Sequence, residues 1–218
     1  MRGGVVVDDP KAHWRVAPNA EAYERGRFAH LWGRLYQFVE EGAIRRATRA
    51  LSRSGRILDA ACGTGRITAL LRREGFATLV GCDISRAMMS VARRQLGRVV
   101  FLQTDATRLP FSDNSFDAVT CIGLLMHLDS DTRVQVLKEL GRISRRPLVI
   151  QYGVVGAFLR LQAWLTGQPP GGVRYPVAER ELRRDLERSG LRERARYWVL
   201  RPFSSSVILV LTKDGRRI

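Results

Sequence analysis

The stretch Ile57-Leu58-Asp59-Ala60-Ala61-Cys62-Gly63-Thr64-Gly65-Arg66 decides the reading of this chain. A short apolar run ends in a carboxylate, and a Gly-x-Gly turn then leads into helix-favouring residues. Glycines let the backbone turn tightly and let a ligand come close. Free amides at the start of the following helix suit a carboxylate or a phosphate. An ordinary strand-to-helix turn has the same pattern, so the segment needs support from elsewhere. Two further carboxylates supply it. Asp83 ends the apolar run Thr78–Asp83, close to the ~20 residues past the glycine turn at which dinucleotide folds hold a ribose diol. Asp105 follows the run Val99–Thr104. Three successive strands would thus carry Asp59, Asp83 and Asp105 to one carboxyl-end edge, where open α/β sheets bind ligands. Taken singly, each Asp also fits a turn or a cap.

Outward from there, short apolar runs alternate with helical patterns. Strands are expected at Arg56–Asp59, Thr78–Asp83, Val99–Thr104, Asp117–Ile122 and Leu148–Tyr152, with helices at Thr68–Glu74, Arg86–Leu96 and Asp131–Ser144. That alternation predicts a buried parallel sheet. Upstream, residues 1–20 hold Pro10 and Pro18 and read as a loose arm. Between Glu21 and Leu51, Phe28, Leu31, Leu35, Phe38, Val39, Gly42 and Ile44 recur at helical spacing, which predicts two helices. Downstream, Val154–Leu165 is apolar, Gly167–Gly172 is rich in glycine and proline, and Glu179–Ser189 is a charged helix ended by Gly190. Two β-rich runs, Arg194–Leu200 and Ser206–Thr212, predict an antiparallel pair beside the parallel sheet.

A length of 218 residues suits one domain. A hydrophobic fraction of 45% argues against disorder. No apolar run reaches the ~20 residues that span a bilayer. Val5–Val7 is followed at once by Asp8 and Asp9, unlike a secretory signal, so a cytoplasmic location is expected. The net charge is +16. All but three of the 37 basic residues are arginine, and the excess is spread along the chain rather than gathered in an arm. This pattern fits a compositional origin better than a nucleic-acid partner. Cys62, Cys82 and Cys121 form no CxxC, and His13, His30 and His127 lie far apart, so three reduced thiols and no metal are expected.

With these residues in place, the chain resembles the class I S-adenosylmethionine-dependent methyltransferases, small-molecule type. Leu58–Gly65 resembles their first motif, and Gly81-Cys82-Asp83-Ile84-Ser85-Arg86-Ala87-Met88 their second. Asp105-Ala106-Thr107-Arg108-Leu109-Pro110-Phe111-Ser112-Asp113-Asn114-Ser115-Phe116-Asp117 resembles a third run. Tyr23–Phe28 resembles an upstream motif of small-molecule members. The resemblance implies a Rossmann-like, doubly wound seven-stranded α/β sheet with an antiparallel last strand and helices on both faces. One methyltransferase domain would span residues 1–218. Within it, 1–54 would be the arm and helices, 55–152 the cofactor-binding core, 153–178 a substrate-side insert, and 179–218 the last helix and β pair. S-adenosyl-L-methionine would be the cofactor. By the same resemblance Ala61, Gly63 and Gly65 pass its methionine part, and Asp59 orients the amino group. Asp83 binds the ribose hydroxyls, and Ile84 and Met88 flank the adenine. Asp105 and Ala106 read its amino edge, Cys121 offers a carbonyl, and Tyr23 closes over the cofactor. A nicotinamide enzyme fits less well, because Thr68 stands where Gly or Ala allows close helix packing.

A base is needed only where the acceptor must lose a proton. His127, just past the fourth strand, is the candidate, and a packed loop histidine is the equally simple alternative. No Asn/Asp-Pro-Pro-aromatic motif or Pro-Cys nucleophile is present, which points away from nucleobase acceptors and toward a small, lipophilic or aromatic one. Val154, Phe158, Leu161 and Leu165 form an apolar stripe that could be core, a lid or a peripheral membrane contact. An RNA or protein methyltransferase, and a non-catalytic cofactor-binding partner subunit, are the two rival readings. The oligomeric state is left open.

Overall fold

The computed structural model describes residues 30–145, 147–156, 158, 161, 164–165, 177–201 and 203–213. In chain order the elements are α1 (Leu31–Thr48), β1 (Arg56–Ala60), α2 (Arg66–Arg73), β2 (Thr78–Asp83), α3 (Arg86–Gln95), β3 (Val100–Gln103) and β4 (Ala118–Cys121). A 3-10 turn (Leu125–His127), α4 (Ser130–Ile143), β5 (Leu148–Gly153), α5 (Glu179–Ser189), β6 (Leu191–Trp198) and β7 (Ser206–Lys213) follow. The seven strands form one sheet in the order β3-β2-β1-β4-β5-β7-β6. All neighbours are parallel except β7, which runs antiparallel to both β5 and β6. The doubly wound fold expected from the sequence is the one observed.

The central strands explain themselves by composition. Every residue of β4 and of β5 is buried, as the near-continuous apolar runs require of a sheet covered on both sides. On one face α4 and α5 add Leu137, Leu140, Ile143, Leu182 and Leu186 to a core around Leu58, Cys121 and Ile150. On the other, α1 and α2 pack Ala43, Ile44, Leu70 and Leu71 against Ile57, Val149 and Ile208. α3 closes the far end with Met89, Ala92 and Leu96 around Phe101.

One buried polar cluster joins three elements. Asp185 of α5 accepts from Ser130 Oγ, Arg133 Nε and Tyr152 Oη at 2.8, 2.7 and 3.1 Å, tying α4, α5 and β5 together. The two ends of the insert also meet: Val155 N–H donates to Val177 C=O and Val177 N–H to Gly153 C=O, both at 3.0 Å.

The sequence pattern does not tell which side of the first described helix is buried. Of the stretch Glu21–Leu51, residues 30–51 are described and hold one helix, on which Leu31, Leu35 and Phe38 are exposed; residues 21–29 lie outside the described residues. α1 instead turns Glu40, Ala43, Ile44 and Ala47 toward the sheet. A buried ion pair to Arg66 makes this possible, and no periodicity rule reveals it. The arm, Tyr23 with its motif, and most of the insert, Gly167–Gly172 included, lie outside the described residues.

Candidate active site

β1 sits in the middle of the parallel half, and its carboxyl end is where the chain must leave the sheet and start α2. Ala61, Gly63 and Gly65 there have φ of 55°, 55° and 87°. Gly65 is required on two counts: its φ is left-handed, and an added Cβ would stand 2.9 Å from Ala92 Cβ. α2 therefore begins in close contact with α3. At Gly63 an added Cβ would meet nothing, so here the φ alone calls for glycine, and the space beside it is open. Ala61 takes a left-handed φ with a side chain, a local strain of order 1–3 kcal/mol that clusters at functional sites.

Three carboxylates face this edge in different settings. Asp83 ends β2. Its Oδ2 accepts from Gly63 N–H and its Oδ1 from Ser85 N–H, both at 2.8 Å. The carboxylate thus pins the glycine turn to the end of β2, and each oxygen keeps a second lone pair for a ligand. Burial pushes the Asp83 carboxyl up from its ordinary value, while the amides of Ser85 and Gly63 pull it down. A pair of vicinal hydroxyls matches those remaining lone pairs.

Asp59 differs: it is buried, with Oδ2 accepting from Thr68 Oγ1 at 2.6 Å and Oδ1 from Thr120 Oγ1 at 2.9 Å. Burial raises its pKa to about 6, against the pull of both hydroxyls and of Arg66. Thr68, read from sequence as an obstacle to close packing, is the hydroxyl that Asp59 needs. Asp105 lies two residues beyond β3, and its Oδ1 accepts from Thr107 N–H at 2.9 Å and Thr107 Oγ1 at 2.8 Å. That geometry leads the chain into the turn containing Ala106.

The other expected residues fall around the same edge. Ile84 is half-buried and its C=O accepts from Gln103 Nε2 at 3.1 Å. Met88 is buried in the first turn of α3, which Ser85 caps. Cys121 ends β4, in register with Ala60 of β1 and Ile150 of β5. The three thiols are buried and unbonded to one another, and burial pushes each upward, Cys82 to about 12. His127 closes the 3-10 turn after β4, half-buried, its N–H donating to Leu124 C=O at 2.9 Å.

Much of the Asp105–Asp117 run serves architecture. Phe111 and Phe116 meet edge-to-face at 4.9 Å, and Arg142 donates to the carbonyls of Phe111 and Leu109 at 2.8 and 3.0 Å.

Sequence reasoning missed a second polar group at this edge. Gln151 of β5 is fully buried, and its Nε2 donates to Glu40 Oε1 at 2.7 Å and Ser206 Oγ at 2.6 Å. Glu40 Oε2 lies 2.7 Å from Nη2 of Arg66, the first residue of α2. Gln151 Oε1 meets no donor among the described residues. A glutamine in an otherwise apolar strand was the one available signal.

Comparison with known proteins agrees with this geometry. Residues 57–146 match the methyltransferase domain family. Methyltransferase GfsG of Streptomyces halstedii is 36% identical over 136 residues, 60% of this chain and 43% of that protein. The demethylmenaquinone methyltransferase of Clavibacter sepedonicus is 47% identical over 96 residues, 40% of this chain and 39% of that protein. The chain spans less than half the length of the curated relatives it matches. Magnesium protoporphyrin IX methyltransferase from Synechocystis, crystallised with S-adenosylhomocysteine, has the same fold. It superposes with a TM-score of 0.72 at 20% identity, over 94% of this chain and all of that one.

Proposed function

With residues 57–146 a methyltransferase domain, we propose that this chain transfers a methyl group from S-adenosylmethionine to a small, lipophilic or aromatic acceptor. The observation that carries the reading is the Asp83–Gly63 clamp, an acceptor of hydroxyls fixed to an open glycine turn. The residues present fit the cofactor: Asp83 would take its ribose, Ala61–Gly65 its amino-acid end, Ile84 and Met88 its adenine face, and Asp105 with Ala106 the adenine edge. Once bound, the cofactor supplies an activated methyl group on a sulfonium.

The protein's share is then to orient and to exclude water, since an in-line displacement is limited by alignment. Ala60, Cys121 and Ile150 stand in register across β1, β4 and β5, so the chain offers one continuous edge on which to align two ligands. His127 would take a proton from an acceptor hydroxyl, where the acceptor needs that step. Relatives named for demethylmenaquinone and magnesium protoporphyrin support a lipophilic acceptor.

The test is incubation with methyl-labelled cofactor and a panel of quinols, porphyrin acids and phenols, with the label followed into product. Transfer to a panel member at a rate that His127→Asn lowers supports both parts. Tight S-adenosylhomocysteine binding with no transfer to any acceptor, protein or RNA would favour a non-catalytic subunit.

A further inference from the structure

The outward side of α1 takes no part in the site described above. Leu31, Trp32, Leu35 and Phe38 are exposed there, Trp32 to 77% and Phe38 to 72%. On a helical wheel Leu31, Leu35 and Phe38 fall within ~60° of one another. Arg34, Arg46 and Arg49 are exposed on the same flank. Neither acid of α1 balances them: Glu40 is buried, and Glu41 is held by Arg45 at 3.2 Å. The helix therefore shows the outside an apolar beginning and a cationic end.

The direction of α1 places this face. Glu40 bonds Gln151 near the carboxyl end of β5, and Arg45 bonds Glu74 beyond the far end of α2 at 2.8 Å. From Glu40 back to Leu31 the helix rises ~13 Å, so its first turns stand beyond the carboxyl edge of the sheet. The β6–β7 connection lies at that same edge. It carries exposed Arg201 and Phe203, the latter 74% exposed and edge-on to Phe158 at 5.6 Å.

We propose that this end of the molecule docks on a lipid bilayer rich in anionic headgroups, with the first two turns of α1 entering the headgroup layer. Large apolar side chains with Arg34 and Arg201 exposed at the same end are what such an interface accepts. An exposed Trp is suited to the boundary between headgroup and acyl chain. A second copy is the poorer occupant, because each copy brings a charge of +16 to the contact. If the proposed function holds, a lipophilic acceptor reaches the site from the bilayer, but binding to lipid does not depend on methyl transfer.

The test is co-sedimentation of the full chain with phosphatidylglycerol/phosphatidylcholine vesicles and with pure phosphatidylcholine vesicles. Binding to the anionic vesicles should fall as salt rises. Trp32→Ser/Phe38→Ser should lower partition at least ~tenfold. Arg34→Gln/Arg201→Gln should lower it several-fold on anionic vesicles only. Both variants should keep wild-type affinity for S-adenosylhomocysteine, which shows that they are folded. No binding to anionic vesicles, or equal binding by the Trp32/Phe38 variant, overturns the proposal. So does a dimer that this variant dissociates. Slow hydrogen exchange at Leu31–Phe38 in the lipid-free chain, without vesicle binding, overturns it as well, since the chain then covers its own face.

Discussion

The two halves of the sheet are built to different standards. Around β1, β2 and β3 the carboxylates of Asp59, Asp83 and Asp105 are all held by hydrogen bonds from the turn or helix beside them. Around β5, β7 and β6 the same edge carries an unanswered carbonyl on Gln151, an exposed Phe203 and the exposed start of α1. One half is finished in the absence of a ligand, as suits a ligand that never changes. The other keeps groups that no described residue satisfies. Under the proposed function, the cofactor side is held by contacts close in sequence, whereas the side proposed for the acceptor is shaped by residues far apart in the chain.

The seam between the halves is the Glu40–Arg66 pair, so breaking it gives the largest effect. Glu40→Ala removes the buried carboxylate that pairs with Arg66 and accepts from Gln151, and should cost about 3 kcal/mol, the range for hydrogen bonds to a charged group. Chemical denaturation measures it. A loss below about 1 kcal/mol would mean that the halves are not joined there.

On the finished half, Asp83→Ala removes the clamp on Gly63 and the ribose acceptor together. Affinity for S-adenosylhomocysteine should fall roughly 100-fold, about 3 kcal/mol. Calorimetry on a folded sample decides it, and unchanged affinity removes Asp83 from the site.

Asp59 sharpens the same contrast through pH. Its folded pKa of about 6 lies above the unfolded value near 3.9. The folded state therefore binds the proton more tightly, and this group's contribution to stability falls as pH rises from about 4 to about 6. Above that window its burial costs roughly 2–3 kcal/mol. Asp59→Asn carries no charge, so its stability relative to wild type should climb across pH 4–6 and level off above. A flat difference across that range would show that the carboxylate is not desolvated.

The smallest change belongs to the open half. Phe158→Ser removes an edge-to-face contact between two exposed rings and should cost under about 1 kcal/mol of stability. If the insert covers the acceptor, acceptor KM should rise several-fold while cofactor affinity stays. Unfolding of the domain by this one change would make the stripe core instead.

The legible parts of the sequence were those whose cause is local. A glycine turn and a carboxylate at a strand end each reveal themselves within a few residues, and both lie where expected. Asp59 was found, but its reason was not: Thr68 and Thr120 reach it from another element and another strand. The buried side of α1 was not legible, because Leu31, Leu35 and Phe38 carry the stronger apolar signal while the side that faces the sheet is set by Arg66 and Gln151, far along the chain. A rule that sends apolar residues inward has no access to such partners. His127 lies at the expected strand end, and its position alone assigns it no chemistry.

The strand order β5-β7-β6 also constrains the timing of synthesis. β6 emerges from the ribosome before β7, yet β7 lies between β6 and the rest of the sheet. Until Ser206–Lys213 has been made, β6 has no strand to pair with and β5 presents an open edge of backbone donors and acceptors. At ~5–20 residues per second that interval lasts on the order of seconds, long for a bare β edge. Translation speed through the codons for residues 191–213 should therefore affect how much of this protein reaches its native state, without changing any atom of that state.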